Sequence, residues 1–149
     1  YSIAQLQIGH ARSFGNLSVR AMGHVGVAIG NPQGSSLDFT LGGYGARRIN
    51  NILPFYGYDF ISLSGNSMLY TVFDVDYEIF RKNHVNFSAN FANLDDDLFE
   101  QNDWYRKARF SGFALGYGIE TFLGPIELKY SFSPQQDNSE FYVRLGLNF

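Results

Sequence analysis

The C-terminal stretch FYVRLGLNF, residues 141–149, alternates large apolar residues with polar or small ones. Its apolar members are Phe141, Val143, Leu145, Leu147 and Phe149. Successive side chains of a β-strand point to opposite faces of a sheet, so this pattern predicts a strand with one apolar and one polar face. Such a strand is typical of a sheet that faces lipid on one side and a wet lumen on the other.

The same alternation recurs along most of the chain and predicts eight strands. The clearest case is residues 17–30, where Leu17, Val19 and Val25 share one face while Arg20 and His24 share the other. A strand of ~9 to 11 residues crosses a bilayer when it is tilted. The predicted strands are residues 2–10, 17–30, 37–43, 68–80, 84–93, 110–122, 126–132 and 141–149. We find no convincing amphipathic helix in the sequence.

The connections between the predicted strands alternate in length. Residues 81–83 and 123–125 make tight turns, whereas residues 44–67 and 94–109 make long loops. Short turns on one side of a sheet and longer loops on the other are a property of outer-membrane barrels. The alternation therefore predicts that the C-terminus lies on the short-turn, periplasmic side.

Composition limits the class of protein. Lys plus Arg is 11 and Asp plus Glu is 14, giving a net charge of -3, and no extended basic patch suggests a nucleic-acid partner. Cys is absent, which excludes disulfides and Cys-ligated metals. No run approaches the ~18 to 20 apolar residues of a membrane helix. An aromatic content of 17% with 16 Gly fits a transmembrane β-barrel.

A soluble ligand-binding barrel is the alternative interpretation, because it also shows alternation and turns. The ends of the apolar faces favour the membrane barrel. Tyr77, Tyr117, Phe132, Phe141 and Phe149 lie there, and aromatic girdles mark the two interfaces of a membrane barrel.

The opposite, less apolar faces carry most of the charge within the predicted strands. We expect these side chains to form an acid–base network in the lumen. The predicted members are Arg20, Asp74, Asp76, Glu78, Glu120, Glu127, Lys129 and Arg144. The inner face of residues 112–118 reads Gly, Ala, Gly, Gly, which leaves space for a wide barrel or an inserted loop.

The sequence predicts no catalysis, cofactor or metal within this chain. It lacks the Gly-x-Ser-x-Gly nucleophile elbow of serine hydrolases. His10, His24 and His84 are isolated, and we interpret them as lumen-facing or interfacial. The acidic run at residues 95–97 is a candidate Ca²⁺ site, but a solvated loop is the simpler interpretation.

Residues 112–149 resemble the C-terminal end of the bacterial surface antigen superfamily of outer-membrane proteins. The matching elements are a small-residue strand ending in Gly118-Ile119, the turn LGP at 123–125, the strand IELKYSF at 126–132, and Gly146 three residues before the terminal Phe149. The resemblance implies that Gly146, Leu147 and Phe149 belong to a C-terminal signal that the barrel assembly machinery reads.

A second resemblance lies in the loop FYGY, residues 55–58. The superfamily has an aliphatic residue, Arg, Gly and then Phe or Tyr in its long inner loop. Gly57 and Tyr58 match that motif, and Tyr56 replaces the Arg. In the BamA- and TamA-type insertases, acidic residues on the inner wall hold this Arg. The spacing of Gly and Tyr around the motif is more similar to the barrels of patatin-like phospholipases.

Together these observations predict an all-β protein, an antiparallel transmembrane β-barrel over residues 1–149 with no second domain. The resemblance implies sixteen strands in the whole barrel, of which this chain supplies the last eight. The expected function is a membrane anchor or translocation pore of a patatin-like or surface-antigen-type protein. The alternatives are an insertion or secretion barrel and a self-contained eight-strand structural or adhesive barrel.

The expected location is the bacterial outer membrane, with lipid and lipopolysaccharide around the barrel. The assembly machinery is an expected partner during biogenesis, and other outer-membrane subunits or a second copy in a homodimer are further candidates. We expect no nucleic-acid partner.

Overall fold

The computed structural model describes residues 2–30, 39–43, 52–59, 62–96, 98–100, 102–105 and 107–146. Ten strands lie in this part of the chain: β1 (Ser2–Phe14), β2 (Leu17–Ile29), β3 (Phe39–Leu41), β4 (Ile52–Leu53), β5 (Leu63–Gly65), β6 (Ser67–Phe80), β7 (Asn83–Asp95), β8 (Phe110–Thr121), β9 (Gly124–Phe132) and β10 (Ser139–Leu145). A 3-10 turn covers Leu98–Glu100. No helix among the described residues is long and apolar enough to cross a membrane.

Seven long strands form one antiparallel sheet in the order β1-β2-β6-β7-β8-β9-β10. The remaining strands form a small sheet in the order β4-β3-β5. The two edges of the large sheet are β1 and β10, and no pairing between them occurs within the described residues. The all-β, antiparallel class that the alternation predicts is therefore observed.

The prediction of eight barrel strands is wrong at residues 37–43. The described part of that segment is β3, which pairs with β4 and β5 instead of joining the large sheet. Phe39 and Leu41 are fully buried. Their alternation with Thr40 is real, but a period of two cannot show which sheet a strand joins or whether its apolar side meets lipid or protein.

The turns and loops of the large sheet separate to opposite ends. Two-residue turns at 15–16, 81–82 and 122–123 join neighbouring strands at one end, while the connections from β2 to β6, from β7 to β8 and from β9 to β10 start and finish at the other. Gly15 and Lys82 adopt positive φ, which tight hairpin turns require. The C-terminal end of β10 therefore lies at the short-turn end, as the sequence predicts.

One face of the large sheet is apolar and exposed, and we call it the outer face. In β6, for example, Phe73 and Tyr77 point to this face and are 45% and 50% exposed. Aromatic rings continue across four neighbouring strands: Phe73 meets Phe91 at 6.5 Å between ring centroids, Phe91 meets Phe113 at 5.9 Å, and Phe113 meets Phe132 at 5.5 Å. Exposed apolar area of this extent is expected where a strand faces lipid.

The opposite, inner face is covered in its long-loop half by the connection between β2 and β6. We call the described residues 39–43, 52–59 and 62–65 of this connection the inner loop. Its apolar side chains and those of β6 and β7 form one buried cluster: Phe39, Leu41, Leu53, Phe55, Tyr58, Met68, Tyr70, Val72, Ala92 and Leu94. The core of the described structure therefore lies between the inner loop and the sheet.

Candidate functional site

The candidate site is the contact between the inner loop and the inner face of β7, β8 and β9. Hydrogen bonds tie the loop to itself and to the sheet before it reaches this contact. Gly43 donates its N–H to the carbonyl of Tyr58 at 2.9 Å, and the hydroxyl of Tyr70 donates to the carbonyl of Pro54 at 2.7 Å. Residues 55–58 then lie against the inner face of β7, β8 and β9.

The small residues of β8 make room for the loop. A Cβ at Gly112 would overlap the carbonyl oxygen of Tyr56. With its side-chain amide oriented to satisfy both neighbours, Asn90 accepts from the N–H of Tyr56 and donates to the carbonyl of Gly112, each at 3.1 Å. The space that the sequence leaves at Gly112 is thus occupied by the loop backbone.

Gly57 and Tyr58 match the superfamily loop motif. Both contact the large sheet, at the end of β9 and the start of β8. Gly57 has φ of 75°, and its α-carbon faces the backbone of Phe132 and Ser133. Tyr58 is buried, and its ring packs edge-on against Phe55 and Phe110 at centroid distances of 5.2 and 6.0 Å.

Gln135, in the loop after β9, collects several donors beside this motif. Its Oε1 accepts from the backbone N–H and the hydroxyl of Ser111 at 3.1 and 2.9 Å, and from the hydroxyl of Ser133 at 2.9 Å. The hydroxyl of Tyr58 donates to the same oxygen at 3.4 Å. Gln135 therefore connects the start of β8, the end of β9 and the inner loop.

Lys129 on β9 contacts the loop motif through Tyr56. Its side chain is only 7% exposed, and its Nζ lies 3.4 Å from Glu127 Oε1. The same Nζ donates to the hydroxyl of Tyr56 at 3.3 Å and to that of Ser88 at 3.5 Å, and it lies 4.9 Å from the Tyr56 ring centroid. An ammonium in this position holds the loop through a hydrogen bond and a cation–π contact.

Four other charges that the sequence assigns to the lumen, Arg20, Asp74, Asp76 and Glu120, form two separate groups on the inner face. Arg20 Nε donates to Asp74 Oδ2 at 2.9 Å between neighbouring strands. Asp76 instead meets His84 Nδ1 at 2.8 Å, and His84 Nε2 lies 3.8 Å from Glu120 Oε1.

The remaining two residues that the sequence assigns to the acid–base network are Glu78 and Arg144. Glu78 accepts from the backbone N–H of Lys82 in the turn at 3.1 Å. Arg144 lies opposite Glu127 in the β9–β10 register. Sequence reasoning missed His84, Asn86 and Ser88 as participants, although their shared spacing on β7 places all three on the polar face.

The predicted C-terminal signal is described only in part. Gly146 donates its N–H to the carbonyl of Pro125 at 2.8 Å, and a Cβ there would lie 2.8 Å from Pro125 Cγ. Leu147 and Phe149 lie outside the described residues.

Asp95 and Asp96 of the predicted acidic run lie where β7 ends. Asp95 pairs with Arg109, and Asp96 Oδ1 accepts from the N–H of Asn66 at 3.1 Å; Asp97 is outside the described residues. In the described part of the chain, no group of three His, Cys, Asp or Glu residues has the geometry to hold a metal.

The family comparison agrees with this architecture. A family model described as the OMP85 superfamily matches residues 1–149. None of the curated proteins compared with the chain matches it. Proteins of this superfamily are β-barrels that reside in the bacterial outer membrane. With its apolar outer face, its polar inner face and a family match over its whole length, the chain belongs to the OMP85 superfamily of outer-membrane β-barrels.

Proposed function

We propose that residues 1–149 form part of an outer-membrane barrel that anchors, and passes across the membrane, a polypeptide attached to it. The observation that carries this proposal is the position of the inner loop, which packs its apolar side chains on the inner face of the sheet. Porin-type barrels keep a water-filled interior. A wall covered by its own loop instead suits an anchor with controlled passage.

The role of this chain in the proposal is physical. In lipid, a sheet must pair every backbone group internally, which only a closed barrel achieves. We propose that β1 and β10 pair with further strands or with each other in the membrane. Lipid and lipopolysaccharide then surround the outer face, and the assembly machinery reads β10 and the residues after it during biogenesis.

Within the superfamily, we propose a role closest to the barrels of patatin-like phospholipases. Tyr56 occupies the position where the insertases have Arg, and its partner on the wall is Lys129. An Arg at position 56 would place a second positive charge beside a buried ammonium, which is unfavourable at low dielectric. The wall of this protein is therefore matched to an aromatic residue in the loop, which supports a role other than insertion.

Two measurements on the natural polypeptide that contains these residues test the proposal. The first is its intact mass after isolation from the native outer membrane; we expect several times the 16.8 kDa of residues 1–149. A mass near 16.8 kDa would contradict the anchor role and leave a small structural barrel.

The second measurement is the level of other outer-membrane proteins after depletion of this one. An anchor for its own attached polypeptide leaves those levels unchanged, and that is the result we expect. A general loss of folded outer-membrane barrels would instead identify an insertase and overturn the proposal.

A further inference from the structure

We propose that Lys129 is a positioning residue for the inner loop and that a polar relay holds its ammonium under Tyr56. The relay consists of Asn86 on β7 together with Glu127 and Lys129 on β9. The proposal concerns the position of the loop and holds whatever the barrel carries.

The side chain of Lys129 is buried, with only 7% of its surface exposed. An ammonium that is nearly removed from water costs several kcal/mol unless other groups solvate it. In this structure the replacement groups come from three separate elements: Ser88 on β7, Glu127 on β9 and Tyr56 in the inner loop. Moving the loop away would take both the hydroxyl and the ring of Tyr56 from the ammonium.

The relay fixes where that ammonium lies. Asn86 Nδ2 donates to Glu127 Oε1 at 3.0 Å, and the same oxygen lies 3.4 Å from Lys129 Nζ. Asn86 thus orients the carboxylate that in turn holds the ammonium. In metal sites, residues that do not touch the metal orient its ligands through hydrogen bonds in a similar way.

Gly116 allows Asn86 to act across an intervening strand. In register, Gly116 of β8 lies between Asn86 of β7 and Lys129 of β9. A Cβ at Gly116 would overlap Asn86 Oδ1. The missing side chain therefore lets the Asn86 amide extend over β8 to reach Glu127, and the Cβ of an alanine at position 116 would push that amide away.

The apolar cluster does not include the side chain of Tyr56. The buried cluster joins the inner loop to β6 and β7 through Met68, Tyr70, Val72, Ala92 and Leu94. Tyr56 is outside this cluster and only partly buried, and its side chain contacts the cation on β9. Apolar packing holds Phe55 and Tyr58 on either side of Tyr56, and Lys129 holds the Tyr56 side chain on β9.

The test is hydrogen exchange, read by mass spectrometry, of the full-length polypeptide in lipid nanodiscs. We expect Lys129→Met to raise the exchange rate of backbone amides in residues 52–59 about tenfold, which corresponds to about 1.4 kcal/mol and lies in the range of a partly desolvated cation–π contact. Lys129→Arg keeps the charge and should restore most of the protection. Gly116→Ala should raise exchange at the same amides by a smaller factor, because it displaces Asn86 and so acts on Lys129 only through Glu127.

Arg81→Met is the control, because it removes an exposed cation in the two-residue turn between β6 and β7, at the end of the sheet opposite the long connections. We expect no change at residues 52–59 in this variant. The proposal is overturned if Lys129→Met leaves exchange at residues 52–59 as in the natural protein. It is equally overturned if exchange rises by the same factor in β1 and β2, since that would show a general loss of stability.

A second pair of variants decides the matter if Lys129→Met does not assemble. Tyr56→Phe keeps the ring over the ammonium and should exchange within a few-fold of the natural protein, while Tyr56→Leu removes the ring and should resemble the loosened state. Equal protection in both variants would contradict the proposal.

Discussion

Gly57 of the inner loop lies so close to Phe132 at the end of β9 that a Cβ on the glycine would come within 2.5 Å of the Phe132 carbonyl carbon. The φ of Gly57 is 75°, in the region that L side chains rarely adopt. Two independent requirements for glycine therefore coincide at the point where the inner loop meets the wall backbone to backbone.

Gly57→Ala should loosen the inner loop. The substitution adds a left-handed backbone cost of roughly 1–2 kcal/mol and a steric overlap that only a shift of the loop relieves. Limited proteolysis of the membrane-embedded protein should cut the inner loop faster in the variant. Gly15→Ala is the control, because Gly15 also has positive φ but has nothing within 4 Å of a Cβ; it should leave inner-loop cleavage unchanged. Equal cleavage in the Gly57 variant and the natural protein would contradict the described contact.

Gly112→Ala should displace Tyr56, because a Cβ at position 112 overlaps the Tyr56 carbonyl. Gly118→Ala, on the same face of the same strand, is the matched control, since the nearest atom to its Cβ is the Ile126 carbonyl oxygen at 3.9 Å. Hydrogen exchange of residues 52–59 should increase in the first variant and stay unchanged in the second. Identical behaviour of the two variants would place the inner loop elsewhere on the wall.

Ile8→Arg should destabilise the barrel much more than Gln7→Arg. The two residues are neighbours near the middle of β1 on opposite faces, with Ile8 on the apolar outer face and 68% exposed. An Arg on the lipid face near the bilayer midplane costs about 2–4 kcal/mol. Urea unfolding of the full-length polypeptide in lipid vesicles measures the difference. A larger loss for Gln7→Arg would reverse the assignment of the two faces.

Asp74→Asn should change stability little, by less than about 1 kcal/mol. Its partner Arg20 has a side chain that is 59% exposed, and solvent-exposed ion pairs contribute on the order of 0.2–1 kcal/mol. The temperature at which the barrel loses its compact migration on a denaturing gel provides the measurement, and it should shift by only a few degrees. A collapse of the barrel would show that this pair is far more shielded from solvent than the described wall allows.

The alternation of apolar and polar residues predicts most long strands almost to their ends. Residues 17–30, 68–80 and 110–122 are predicted, and the observed strands are Leu17–Ile29, Ser67–Phe80 and Phe110–Thr121. The pattern succeeds because each strand meets lipid on one side along its whole length, so the signal is contained in the strand itself. It fails at the end of β1, where Ala11 to Ser13 lack the alternation and form a strand by pairing with β2 across a tight turn.

The sequence by itself determined the strands of the sheet, the two faces of each, and the separation of turns from loops, because these depend on residues that are near one another in the chain. Only the tertiary structure decided that β3 belongs to the inner loop and that Tyr56 meets Lys129. The Tyr56–Lys129 contact joins residues 73 positions apart, and it arises because Gly112 and Gly116 leave room over β8 that no local pattern assigns to a particular partner.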